Sequence, residues 1–202
     1  MHTNLASKVH SASREECVRR DTLDVSLLSS VANGDDDALR VLFTRHNARI
    51  YCYVLRLSSN RSIAEETVGD VFLEAWRHAA RFEMKSQVST WLLAIARNKA
   101  LAAMRRRSKS HLESEESLLT IEDTADNPEE CLDKQFRGTA VQLCLKRLSP
   151  AHREVIDLVY YHGKSVDEVA EIVGIPAGTV KTRMHYARSR MATLLEQAGL
   201  VG

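Results

Sequence analysis

Apolar residues along this chain recur at intervals of three and four rather than two, from residue 24 almost to the C-terminus. That is a helical period, and strand-type alternation is nearly absent, so the pattern predicts an all-α fold. A short helix is predicted from Asp24 to Ala32, closed by Asn33-Gly34. A longer one follows over Asp36–Leu57, with Leu39, Leu42, Phe43, Ile50, Tyr53, Val54 and Leu57 as its apolar stripe. Asp35, Asp36 and Asp37 suit its positive N-terminus. After a turn at Ser58–Ser62, Ser62 and Glu65 form a capping-box pair that starts a third helix. It runs to about Phe82 and buries Ile63, Val68, Val71, Phe72, Ala75 and Trp76. Gly69 in its middle should cost about 1 kcal/mol relative to Ala, which predicts a close neighbour or a bend there.

Beyond the polar loop 83–88, a basic helix is predicted from Ser89 to Arg107. Residues 108–126 are acidic and unpatterned, as a linker is. Asn127-Pro128 starts a helix that runs to about Arg147, and Ser149-Pro150 starts another that ends at His162-Gly163. Then comes a helix-turn-helix pattern. Ser165 and Glu168 form a capping box, Val166, Val169, Ala170 and Val173 give a buried face, and Gly174 suits the left-handed residue that ends the helix. Pro176 sits near the next helix start. Val180, Met184, Ala187, Met191 and Leu194 then face inward, leaving Lys181, Thr182, His185, Arg188 and Ser189 outside. From Ile172 to Leu195 there are four cations and no Asp or Glu. Such a helix fits a major groove, with flanks that neutralise phosphate and a centre that meets base edges. An ordinary helical hairpin with a solvated basic face fits the same spacing.

Charge sharpens this division. The net charge is only +1 over 202 residues. Yet residues 35–107 carry 13 basic and 8 acidic side chains, whereas residues 108–126 carry one Lys against six acids. The stretch from Met84 to Leu112 holds seven Lys or Arg and no acid. The chain thus divides into a tail (1–23, expected to be flexible), a first helical domain (24–107), an acidic linker (108–126) and a helix-turn-helix domain (127–202).

No apolar run approaches the roughly 18 residues of a membrane span, and the N-terminus lacks a signal-peptide core, so a cytoplasmic protein is expected. Cys17, Cys52, Cys131 and Cys144 show no CxxC spacing. Cys131 and Cys144, on one predicted helix, would stand about 20 Å apart, beyond disulfide reach. Reduced, buried thiols are the expectation, with Cys131 the best placed to react. The eight His are scattered, and no HExxH, GxSxG or phosphate-cradling Gly loop is present. No catalytic, metal or cofactor site is therefore predicted, and His46, His78 and His111 are expected at the surface.

Three motifs together carry a family resemblance. Ala64–Trp76 (AEETVGDVFLEAW) and Ser89–Asn98 (STWLLAIARN) resemble the promoter-melting domain of bacterial sigma factors. Leu148–Ile156, leading to Gly178–Arg183 (GTVKTR), is similar to their C-terminal helix-turn-helix domain. With two domains and a short linker, the chain resembles the extracytoplasmic-function (ECF) branch of the sigma-70 family. The pattern is departed from at Thr67, Gly69 and Tyr186.

The resemblance implies roles for individual residues. Glu65, Glu66, Asp70 and Glu74 match the acidic stretch that docks on the clamp helices of the largest subunit of core RNA polymerase. Lys85, Ser86 and Gln87 in the loop, with Asn98 on the following helix, match the part that captures unpaired minus-ten bases. Trp91 reads as core. Lys99, Arg105, Arg106 and Arg107 would hold phosphate. Lys181, Thr182, Arg183, His185, Tyr186 and Arg188 match the helix that reads the minus-thirty-five element. The implied partners are core polymerase, promoter DNA and an anti-sigma factor, with no membrane insertion, and the implied setting is a stress or envelope response. The alternative is a helix-turn-helix regulator of another class that does not bind core polymerase. It accounts for residues 149–191 and leaves the acidic and Trp91 helices unexplained.

Overall fold

A computed structural model describes residues 21–113 and 139–197. Among these residues every regular element is helical: α1 over residues 21–32, α2 (Asp36–Ser58), α3 (Arg61–His78), a 3-10 turn (Ala79–Arg81), α4 (Val88–Glu113), α5 (Thr139–Lys146), α6 (Pro150–Tyr160), α7 (Val166–Val173) and α8 (Ala177–Gln197). In the first group α2, α3 and α4 pack on one another, and in the second α8 packs on α5, α6 and α7. Leu42, Ile50, Tyr53, Val54, Val71 and Leu92 are buried in the first group and Val155, Leu158, Val169, Val180 and Ala187 in the second, and all belong to one hydrophobic cluster.

The helix boundaries follow local chemistry. Asp35 caps α2 by accepting hydrogen bonds from the N–H groups of Asp37 and Ala38. Gly34 turns the chain at φ +89, which a side chain would disfavour. α3 is capped by Asn60, whose side chain accepts from Ile63 N, and not by Ser62. An Asx cap two residues upstream satisfies the same orphan donors, which displaces the predicted Ser62–Glu65 box. α3 also ends at His78, short of Phe82, and tightens into the 3-10 turn. Downstream, the predicted box at Ser165 and Glu168 forms in full, and Gly174 closes α7 at φ +70. Ser149 caps α6 with Pro150 in the first turn.

Several expectations are corrected. Trp76 is 48% exposed, because it lies beyond the edge of the stripe set by Val68, Val71, Phe72 and Ala75. Phe43 is 40% exposed and rests its ring on Phe72, 4.8 Å between centroids. No atom lies within 4 Å of where a Gly69 side chain would begin, so no close neighbour explains that glycine. His46 is buried, with its Nε2 2.8 Å from Asp24 Oδ2. Arg45 donates to the other oxygen of that carboxylate, which ties α1 to α2. Burial pushes the Asp24 carboxyl up, and His46 and Arg45 outweigh it and hold it below its ordinary value. α4 continues to Glu113, so residues 108–113 are helix and not linker. Cys144 is a free buried thiol, as expected, whereas Cys52 on α2 is disulfide-bonded. Cys17 and Cys131, the tail, the side chain of His111 and the helix start at Asn127 lie outside the described residues.

The two helical groups are in contact. α4 packs on α7 and α2 on α6.

Candidate nucleic-acid interface

α8 is oriented by the burial of Val180, Met184, Ala187 and Leu194. That packing turns Lys181, Thr182, His185, Tyr186 and Arg188 outward, and Arg183 lies half-buried at the edge. Thr182 donates its hydroxyl hydrogen to Gly178 O at 3.0 Å, so toward a ligand it offers its acceptor lone pairs and methyl. Tyr186 is 59% exposed, with its ring between His185 (5.7 Å) and His152 on α6 (6.5 Å). Tyr186 therefore faces outward. Arg188 leans over the Tyr160 ring at 5.9 Å, which steers its guanidinium along the edge of the face rather than its centre.

The second surface is the α3–α4 pair. On α3, whose Val71 and Phe72 are buried, Glu65 and Glu66 are exposed and Asp70 and Glu74 half-exposed. Basic neighbours partly neutralise them: Arg61 pairs with Glu65 at 2.9 Å and Arg106 with Glu66 at 3.7 Å. Lys99 donates to Glu74 at 3.0 Å, and that hydrogen bond holds the Glu74 carboxyl below its ordinary value. Thus Lys99, assigned to phosphate, and Glu74, assigned to polymerase, meet each other. Asn98 and Arg105 are exposed. Lys85, in the loop, is exposed and pairs with Glu83. Trp91 packs against the core with its ring 5.2 Å from Phe82, as expected.

Sequence reasoning missed a third cluster, at the seam between the two groups. Tyr53 donates to Glu154 Oε1 at 2.9 Å, and Arg97 Nε reaches the same oxygen at 2.7 Å. Burial first, then the Glu154 carboxylate, pushes the Tyr53 phenol well above its ordinary range, so it remains a donor. Arg56 pairs with Asp157, and its Nη2 is 3.1 Å from His162 Nε2. Lys164, 6% exposed, donates to Gln87 Oε1 (3.0 Å), Ser89 Oγ (2.7 Å), Thr90 Oγ1 (2.8 Å) and Glu168 Oε1 (3.0 Å). One signal was visible. Glu154 and Asp157 stand three apart among Val155, Ile156 and Leu158, and carboxylates set in an apolar helix face need buried partners.

An all-α protein with a helix-turn-helix unit, an outward face free of acids and a separate acidic helix belongs to the class that joins DNA to another macromolecule. Comparison narrows the class. Residues 42–110 match the family described as Sigma-70 region 2, and residues 139–191 match Sigma-70, region 4. The chain is 30% identical to the ECF RNA polymerase sigma factor SigL of Mycobacterium tuberculosis over 176 residues, which cover 86% of this chain and 97% of that one. It is 32% identical over 164 residues to SigK of a Mycobacterium species, covering 80% and 84%. The chain belongs to the ECF branch of the sigma-70 family. Among solved structures, the sigma factor RpoE of Bartonella quintana, in complex with the anti-sigma factor NepR, superposes with a TM-score of 0.64 at 29% identity, covering 78% of this chain and 96% of that one. CnrH, in complex with the cytosolic domain of CnrY, shares the fold at 22% identity and a TM-score of 0.62, covering 87% and 98%.

Proposed function

We propose that this chain is a promoter-specificity subunit. It binds core RNA polymerase through the outer face of α3, places α8 on minus-thirty-five duplex, and holds unpaired minus-ten bases with the loop 83–88 and the head of α4. The observation that carries this reading is the pairing, in one chain, of an outward α8 face free of acids up to Leu195 with an exposed acidic α3. A regulator of another class needs the first and has no use for the second.

Base capture needs stacking faces, hydrogen-bonding atoms and cations, and no catalytic group. Asn98, Arg105 and Arg106 supply charge and polar atoms farther along α4, about 15–27 Å from its head at about 1.5 Å per residue. An anti-sigma factor is a further partner on this reading, in line with the assembly named for the Bartonella quintana relative. No helix among the described residues is long and apolar enough to cross a membrane, in line with work in the cytoplasm.

The test is reconstitution. Purified chain should retain core polymerase on a pull-down and yield discrete transcript starts from genomic DNA that core alone does not give. Glu66→Lys combined with Asp70→Lys should lower core affinity at least tenfold with native circular dichroism, since Val71 and Phe72 face the other way. Duplex binding by the chain without any core association would establish the other class of regulator instead.

A further inference from the structure

The outward strip of α8 is less basic than the helix as a whole. At about 100° per residue, Thr182, His185, Tyr186 and Ser189 fall within about 100° of its circumference. Lys181 and Arg188 lie on one flank of that strip and Arg183 and Arg190 on the other, so its centre holds no Lys or Arg.

α6 packs against α8, and its two ends meet opposite flanks of it. His152, in the first turn of α6, stands beside Tyr186, and Tyr160, its last residue, lies under Arg188. Tyr186 and Arg188 are about 200° apart around α8, so α6 crosses beneath the helix and braces one side chain on each side. The Tyr186 brace bears on direction. A tyrosine on a helix has two staggered χ1 directions open to it, and with 59% of Tyr186 exposed, core packing does little to choose between them. The imidazoles choose instead. His185 meets the ring nearly edge-on, at 5.7 Å and 70°, and His152 lies closer to parallel, at 6.5 Å and 30°. Both separations fall in the range over which aromatic rings attract.

The braced ring stands one turn from Thr182, whose hydroxyl hydrogen is committed to Gly178 O. A methyl and an aromatic ring, four residues apart, therefore make an apolar step in the middle of a polar face. The apolar group that a major groove offers is the thymine C5-methyl, whereas guanine is best met by a bidentate Arg or Lys.

We propose that His152 is a positioning residue for base reading, holding the Tyr186 ring beside the Thr182 methyl so that the two take a thymine methyl of the minus-thirty-five element. The proposal rests on the placement of α8 on that duplex. It goes further by naming the base and by bringing α6 into specificity. His152 acts through Tyr186 and needs no contact of its own with DNA.

The experiment uses the full chain and duplexes in which the thymines of its preferred site are replaced, one at a time, by deoxyuridine. That change removes the methyl group and leaves the pairing edge intact. Competition between the two duplexes reads their affinity ratio directly. At one position wild type should prefer thymine by roughly fourfold, the factor for burying one methyl-sized group. Tyr186→Ala should bring that ratio to about one. His152→Ala should bring it to about two- to threefold, because a ring divided between two directions meets the methyl half as often. His152→Phe, which keeps a ring and loses the ring nitrogens, should restore the wild-type ratio. Tyr186→Arg should turn the preference at that base pair toward guanine by at least about fivefold.

A wild type with no methyl-dependent position, or a ratio that Tyr186→Ala leaves unchanged, would overturn thymine reading. A His152→Ala chain that keeps the wild-type ratio, whether or not it weakens all duplexes alike, would overturn the positioning role. Retention of core polymerase by a chain with no methyl-dependent position separates failure of this proposal from failure of the sigma-factor reading.

Discussion

Gly69 sits in the middle of α3 with helical neighbours on both sides, and nothing within 4 Å would meet an added methyl group. Gly in a helix interior is less favourable than Ala by about 0.8–1.0 kcal/mol, because its unfolded chain has more freedom to lose and its backbone is less shielded. No positive φ is recorded at Gly69, unlike Gly34, Gly163 and Gly174, so alanine fits the backbone without strain. The full propensity difference should therefore appear. Gly69→Ala should raise unfolding free energy by about 1 kcal/mol, or about 2–4 °C in Tm for a chain of this size. Urea unfolding followed by circular dichroism measures it, with an unchanged m value showing that the denatured state is unaltered. A variant no more stable than wild type, or less stable, would refute the reasoning and show that α3 is distorted at this point.

The same variant carries a second reading. Gly69 lies on the exposed face between Glu66 and Asp70, where the polymerase contact is proposed. A residue that costs helix stability and relieves no internal crowding suits close approach by an external backbone. Gly69→Ala should then bind core polymerase several-fold more weakly while being more stable; affinity that is unchanged would place Gly69 outside the contact.

Two further changes probe other parts of the molecule. His185→Ala should alter preference among minus-thirty-five sequences and cost about 1–3 kcal/mol on the best site only, whereas Arg188→Ala should weaken all sites alike and lower the salt slope by about one unit; identical sequence logos for wild type and His185→Ala, from a randomised duplex library at two salt concentrations, would refute base reading. The Asp24 carboxyl lies below its ordinary value when folded, so its contribution is complete above the ordinary carboxylate range and disappears as pH falls through the folded value. Asp24→Asn should cost about 1–3 kcal/mol near neutral pH, since buried His46 loses its carboxylate partner, and should flatten the acid limb of a stability–pH profile; an unaltered limb would place the acid sensitivity in other groups.

Much of the fold was legible because it is written in period and caps. The helix-turn-helix appears as its spacing requires: Ser165, Glu168 and Gly174 act within one turn of themselves, and the stripe from Val180 to Leu194 needs no knowledge of what it packs against. Local signals failed where two compete, as at Asn60 and Ser62, or where a stripe is wider than its helix buries, as at Phe43 and Trp76. His46 was misplaced for a different reason. A polar residue's burial depends on a partner 22 positions away, and nothing in the α2 pattern announces Asp24. The seam is the extreme case, since the Tyr53–Glu154 bond spans 101 positions.

That difference in range separates two populations of acids that the sequence presents alike. Glu65, Glu66 and Asp70 lie on a helix face with water on one side, and their basic neighbours are mostly exposed pairs worth at most about 1 kcal/mol each. Such carboxylates can be given up to a partner cheaply. Glu154 and Asp157 are buried against Arg97, Arg56 and Tyr53, and losing one removes the carboxylate from a half-buried arginine, at a cost of about 1–3 kcal/mol. Their loss strains the contact between the two helical groups. Charge removal along this chain should therefore yield two phenotypes. On α3 the expected effect is weaker association with an unchanged free protein; on α6 it is a free protein whose domains have parted. A chain in which removing Glu154 behaves like removing Glu66 would show that burial at the seam has no energetic consequence in solution.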